Sequence, residues 1–171
     1  HQVVRRQRQM CIRDRKVSRA KRRCCLTHVG LVCDSVEFQG LMPQYIVGNE
    51  STFLVRDLAG LQAASPANVT LVRQKSAWNN SALCTQLIRV LGAVLRPFLH
   101  RIQPVLMLDA VPLHYHIRVL DACHAWHIWP IVVPAKLTWL LQPLDTHFFY
   151  KYKLWLKRRY QDARVDTDAL S

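Results

Sequence analysis

The stretch PVLMLDAVPLHYHIRVLDACHAWHIWPIVVP (residues 104–134) decides how this chain folds. Pro104 opens a run of four apolar residues, Val105 to Leu108, that stops at Asp109. Such a run, bounded by turn-forming residues, reads as a strand buried on both faces. Tyr115 to Trp126 then carries Ile117, Leu120 and Cys123 or His124 at helical spacing. Ile128 to Val133 is a second strand of the buried type, stopped by Pro134. Two such strands separated by a helix predict a right-handed parallel crossover.

Upstream, Leu26 to Cys33 is rich in Leu, Val and Thr and reads as a strand ending at Asp34-Ser35. Val36 to Val47 reads as a second extended piece, interrupted by Gly40 and Pro43 and closed by Gly48-Asn49, so the two predict an antiparallel pair. Thr52–Arg56 reads as a short strand, residues 58–68 as a loop, and Val69–Val72 as another short strand. Ser81 caps a predicted helix to about Leu99, with Leu83, Leu87, Leu91, Val94, Leu95 and Phe98 on one stripe. Gln86, Arg89 and Arg96 face away from that stripe, and Pro97 sits near the helix end. Pro143 is placed as the first residue of a last helix running to about Ala163. The whole predicts an α/β fold with a mixed sheet flanked by helices.

Composition narrows the function. The 171 residues carry 24 Lys+Arg against 11 Asp+Glu, a net charge of +13, and half of them are hydrophobic. That apolar content suffices for one real core and excludes wholesale disorder. No membrane span is expected, because Arg89 and Arg96 interrupt residues 83–99, and three prolines and Lys136 interrupt 128–144. Residues 1–24 hold ten basic residues and one acid, and residues 151–171 hold six basic and three acidic ones. Between them the balance is close to neutral. Basic ends on a neutral middle favour a polyanionic partner, nucleic acid first. The six cysteines form no Cys-x-x-Cys pair and no secretory signal precedes them, so Cys33, Cys84 and Cys123 read as small core residues of a reducing compartment.

Two carboxylates stand out. Asp109 ends a predicted strand, where ligand crevices form in open α/β sheets, and Asp145 falls in the first turn of the last helix, where the dipole favours an anion. Singly, the first reads as a turn opener and the second as a cap. Together with their neighbours they say more. Leu106-Met107-Leu108-Asp109-Ala110-Val111-Pro112-Leu113-His114 resembles the second-aspartate segment of the pogo/Tigger branch of DDE-superfamily transposases, an apolar strand followed by Asp-Asn-Ala-Pro-Ser-His. Pro134, Thr138 and Leu140-Leu141-Gln142-Pro143-Leu144-Asp145 resemble that family's third-acid segment, which ends Leu-Leu-Gln-Pro-Leu-Asp, and lie at a similar distance from the second acid. Leu26–Asn49, with Leu41-Met42-Pro43-Gln44, is similar to its strand pair after the first aspartate.

The resemblance implies an RNase H-like endonuclease domain over residues 16–163, lacking its first strand, with residues 164–171 as a tail. It implies a nuclear protein of a transposable element that acts on transposon-end and target DNA, with a homodimer among its assemblies. Its chemistry would be phosphodiester cleavage and strand transfer with Mg²⁺ or Mn²⁺, held in part by Asp109 and Asp145 and supported by His114 and Gln142. The chain departs from the pattern at Ala110, Val111 and Leu113, which replace the family's Asn, Ala and Ser. The larger departure is the first aspartate, whose place falls in the basic start. There Met-Cys-Ile-Arg-Asp-Arg (residues 10–15) resembles the translation of a transposon-end adapter used in sequencing libraries, which marks residues 1–15 as foreign to the protein. The chain as given is therefore expected to be inactive. The alternative is a non-catalytic DNA-binding module derived from a transposase.

Two further groupings complete the reading. His114, His116, Cys123, His124 and His127 crowd together, but without the paired spacing of zinc ligands. The last helix interleaves Phe148, Phe149, Tyr152, Trp155, Leu156 and Tyr160 with Lys151, Lys153, Lys157, Arg158 and Arg159. The apolar set predicts a core-facing stripe, and the cations a face that tracks a phosphate backbone.

Overall fold

Tyr45 and Val47 organise the first half of the molecule. A computed structural model describes residues 26–137 and 149–168, which divide into two compact units between Pro97 and Phe98. Both are α/β, with small sheets flanked by helices. The first holds β1 (Leu26–Val29), α1 (Val36–Gln39), β2 (Gln44–Asn49), α2 (Val55–Ala63), β3 (Val69–Gln74) and α3 (Ser81–Leu95). Its sheet has the order β1-β2-β3, antiparallel between β1 and β2 and parallel between β2 and β3. Tyr45 and Val47 alternate along the central strand, so both point to one face and bury against Leu83 and Leu87 of α3. Val29, Leu31 and Val72 close around them. Each such side chain contributes about 1.5–3 kcal/mol when fully buried.

The antiparallel pair forms as expected, but the chain around it is more helical than its composition indicates. β1 stops at Val29, short of Cys33, because the next carbonyls leave the ladder: Gln44 Nε2 donates to Leu31 O at 2.7 Å. Val36–Gln39 is a turn of helix and not extended chain. Ser35 O accepts from the amides of Phe38 and Gln39, and buried Phe38 anchors the turn while Val36 is left in solvent. The predicted strand at Thr52–Arg56 is not formed, and α2 takes the first part of the predicted loop, whose remainder, 64–68, is turn as expected. Thr52 is instead captured by Asn49, whose Oδ1 accepts from the amides and hydroxyls of both Ser51 and Thr52, and this turns the chain out of β2. Phe53 then folds back on Gly48, where a Cβ would lie 2.6 Å from the ring. Only glycine fits there. The predicted short strand at Val69–Val72 is present and extends to Gln74.

α3 follows its predicted stripe, and Gln86, Arg89 and Arg96 are exposed. Its cap is Asn80 and not Ser81: Asn80 Oδ1 accepts from Leu83 N at 2.9 Å, and Ser81 is the first helical residue. The helix ends at Leu95 and tightens into a 3₁₀ turn, Arg96–Phe98, around Pro97.

The second unit holds β4 (Val105–Asp109), α4 (Ile117–Ala125), β5 (Trp129–Val133) and α5 (Phe149–Asp168). β4 and β5 are parallel, in the register Val105↔Trp129 to Asp109↔Val133, and α4 is the crossover that a parallel pair requires. Among the described residues these two strands pair with each other in a two-stranded sheet, and the mixed sheet is the one of β1, β2 and β3. The expectation of burial on both faces fails. Val105, Met107, Trp129 and Ile131 share one exposed face, since two strands have too few neighbours to cover both sides. Among the described residues of this unit Leu108, Val119, Ala122, Cys123, Ile128 and Val133 are the buried apolar ones. α5 runs past Ala163 to Asp168. The predicted start of this helix at Pro143 lies outside the described residues.

Candidate functional site

Asp109 is the last residue of β4, at the carboxyl end of the parallel pair and in register with buried Val133. The chain turns immediately: Val111 N donates to Asp109 O at 2.8 Å, and His114 N donates to Val111 O at 3.0 Å. This short loop returns His114 to the strand end. Its Nδ1 lies 2.8 Å from Asp109 Oδ1 and 2.9 Å from Asp109 O. Both neighbours are acceptors, so Nδ1 carries the proton and donates to them. The His114 side chain is 14% exposed and that of Asp109 34%, a carboxylate held from the protein side and open to solvent on the other. His114 thereby fixes the direction in which Asp109 presents its oxygens.

Asp145 and Gln142 lie outside the described residues, as do Thr138 and Leu140. Among the described residues, no three His, Cys, Asp or Glu side chains converge to hold a metal ion. The histidine crowd dissolves into helix ends. His116 caps α4, its Nδ1 accepting from Arg118 N. His127 follows the C-cap with φ 56°, in the left-handed region, and its amide donates to His124 O while that of Ile128 donates to Cys123 O. That is a Schellman stop, in which His127 does a glycine's work. Cys84 and Cys123 are buried as expected, and Cys33 is half-buried.

Lys151, Lys153, Lys157, Arg158 and Arg159 are all exposed on α5. Of the stripe expected to face the core, Trp155 and Leu156 are exposed and Tyr152 is half-buried, while the side chains of Phe148, Phe149 and Tyr160 lie outside those described. At 3.6 residues per turn Tyr152, Trp155 and Leu156 share one side of the helix, with Arg159 among them. Tyr152 is half-buried, and burial raises its phenol above the ordinary value. Its ring stacks on Trp155 with centroids 6.5 Å apart, and the Arg159 guanidinium lies over the Trp155 ring at 5.6 Å. This column was hidden in the sequence because aromatics at helical spacing first suggest core. Its signal was the absence of any acid from 151 to 159.

Comparison with protein-family models, with curated proteins and with solved structures finds no match to this chain. Among the described residues no helix is long and apolar enough to cross a membrane.

Proposed function

We propose that this chain is the DNA-binding, metal-dependent endonuclease domain of a DDE-type transposase, RNase H-like in fold. The observation that carries the reading is the Asp109–His114 pair, formed by the segment that resembles the family's second-aspartate motif. The antiparallel pair β1–β2 and the parallel pair β4–β5 supply strand relations that the resemblance expects. The donor chemistry fits Mg²⁺ or Mn²⁺: these ions take carboxylate oxygen, and one or two protein carboxylates with water and substrate phosphate complete such a site. Asp109 would hold the ion together with Asp145, with Gln142 nearby in sequence. Bound there, the metal supplies activation of the attacking oxygen and stabilisation of the leaving one. His114 keeps the Asp109 carboxylate oriented, and the cations of α5 bind the phosphate backbone of DNA in the nucleus.

The test is Mn²⁺ titration of the 171-residue chain followed by NMR, with a plasmid-nicking assay alongside. Selective broadening of the Asp109 and Val111 amide signals, absent in Asp109→Asn, is expected. Supercoiled plasmid stays intact, because the family's first acid has no counterpart among the matched residues. No broadening near Asp109 overturns the metal reading and leaves the non-catalytic DNA-binding module, which Ala110 in place of the family's Asn favours. Metal-dependent nicking lost in Asp109→Asn would instead show a complete site within these residues.

A further inference from the structure

We propose that α5 binds an unpaired stretch of DNA, with Trp155 stacking against a base. The inference rests on the reading of DNA as partner and specifies which form of it this helix holds. Lys151, Tyr152, Trp155, Arg158 and Arg159 lie within an arc of about 120° at 3.6 residues per turn. Asp162 is on the same side two turns further on and ends the basic stretch. This face is not apolar enough to be a covered core surface and not polar enough to be only solvated. It pairs an exposed indole, 53% accessible, with three exposed cations.

That combination has a specific chemical complement. Duplex DNA offers phosphates to the cations but keeps its base faces stacked inside. An unpaired strand offers both, and base–aromatic stacking is sequence-tolerant because every base has a π face. The ring is also held in place. Tyr152, offset with centroids 6.5 Å apart, and Arg159 lie against it, so its orientation is set before a base arrives, and a base meets the part of the indole they leave exposed. Lys151 and Arg158 stand on either side of Trp155 along the helix, about 10 Å apart by helical rise, where successive phosphates of a stacked strand can reach them. The remaining cations, Lys153 and Lys157, point to the other side and serve the backbone of a duplex segment equally well. A second protein would instead need a continuous apolar patch. On this arc Lys151 and Arg159 border Trp155 on either side, and Arg158 lies next to Lys151.

The experiment uses the 171-residue chain and fluorescence anisotropy with a labelled oligothymidylate and a labelled duplex of equal length. Trp155→Ala is expected to weaken oligothymidylate binding about tenfold, Trp155→Phe about twofold or less, and neither to change duplex affinity by more than about twofold. Because Trp155 is exposed, circular dichroism of the Ala variant should match wild type. Equal oligothymidylate affinity for wild type and Trp155→Ala overturns the inference. If duplex binding still falls on charge reversal of Lys157, Arg158 and Arg159, the DNA reading survives that result. Failure of the chain to bind either nucleic acid overturns both. A doubled mass by light scattering that Trp155→Ala restores to one chain, without nucleic-acid binding, overturns it in favour of a second copy on this face.

Discussion

At the scale of single residues, the polar side chains here hold backbone and other side chains in place. Gln44 shows it best. Its Nε2 donates to Leu31 O and Met42 O, and its Oε1 lies 3.0 Å from His28 Nε2. Since Gln44 Oε1 can only accept, His28 Nε2 carries a proton and donates it. Burial pushes the His28 pKa below its ordinary 6.5, and the Gln44 bond only partly offsets that. The consequence for stability has a definite sign. Above pH 6.5 the folded and unfolded states are both neutral at this ring and it adds no pH dependence. As pH falls below that value the unfolded chain takes up the proton first, so stability drops until the folded-state pKa is passed and then levels. Thermal melts from pH 8 to pH 5 should therefore show a steeper decline for wild type than for His28→Asn. Parallel declines would show that His28 pays no penalty for protonation in place.

At the scale of elements, legibility followed how each element is held. The strand–helix–strand of residues 105–133 could be read because apolar runs and prolines punctuate it, and α3 because its stripe buries. α2 could not be read. None of its residues is buried, and Ala59, Gly60, Ala63 and Ala64 before Pro66 give the stretch the composition of a loop although Leu54, Leu58 and Leu61 fall at helical spacing. What holds it is a single amide: Gln62 Nε2 donates to Val69 O and its Oε1 accepts from Leu71 N, both at 2.8 Å, closing the outer edge of β3. That pairing crosses the sequence and leaves no local pattern. The candidate site divides the same way. Asp109 was legible from its strand and His114 from its motif, but their contact depends on the loop between them. The stop of α4 illustrates a cost visible only in the structure. His127 sits at φ 56°, a conformation that costs a non-glycine residue about 1 kcal/mol or more. Glycine there removes the strain, though it loses more freedom on folding. His127→Gly should thus stabilise by about 0.5–1 kcal/mol, seen as a raised Tm. A lowered Tm would mean that the imidazole itself contributes at the helix end.

At the scale of the whole molecule, the net charge of +13 acquires an address. Five arginines and one aspartate of that total belong to residues 1–15, and the middle of the chain is nearly neutral. Within the described residues the dense cationic surface is the first half of α5, five exposed cations in nine positions with no acid among them. If this surface meets phosphate, affinity must depend on salt, because each neutralised phosphate releases condensed counterions and adds about 0.9 to the slope of log affinity against log salt. Reversing the charges of Lys157, Arg158 and Arg159 should flatten that slope for duplex DNA by about 2 to 3 between 50 and 200 mM salt. The Tm should stay where it is, since all three side chains already stand in solvent. The slope discriminates better than affinity alone. A general loss of attraction through net charge would weaken binding for reversals anywhere on the surface, so Arg89→Glu on α3 with Arg96→Glu in the turn after it is the control. An equal flattening per charge in that control would move the DNA-binding face away from α5. An unchanged slope in the α5 variant would make this helix a solvated surface.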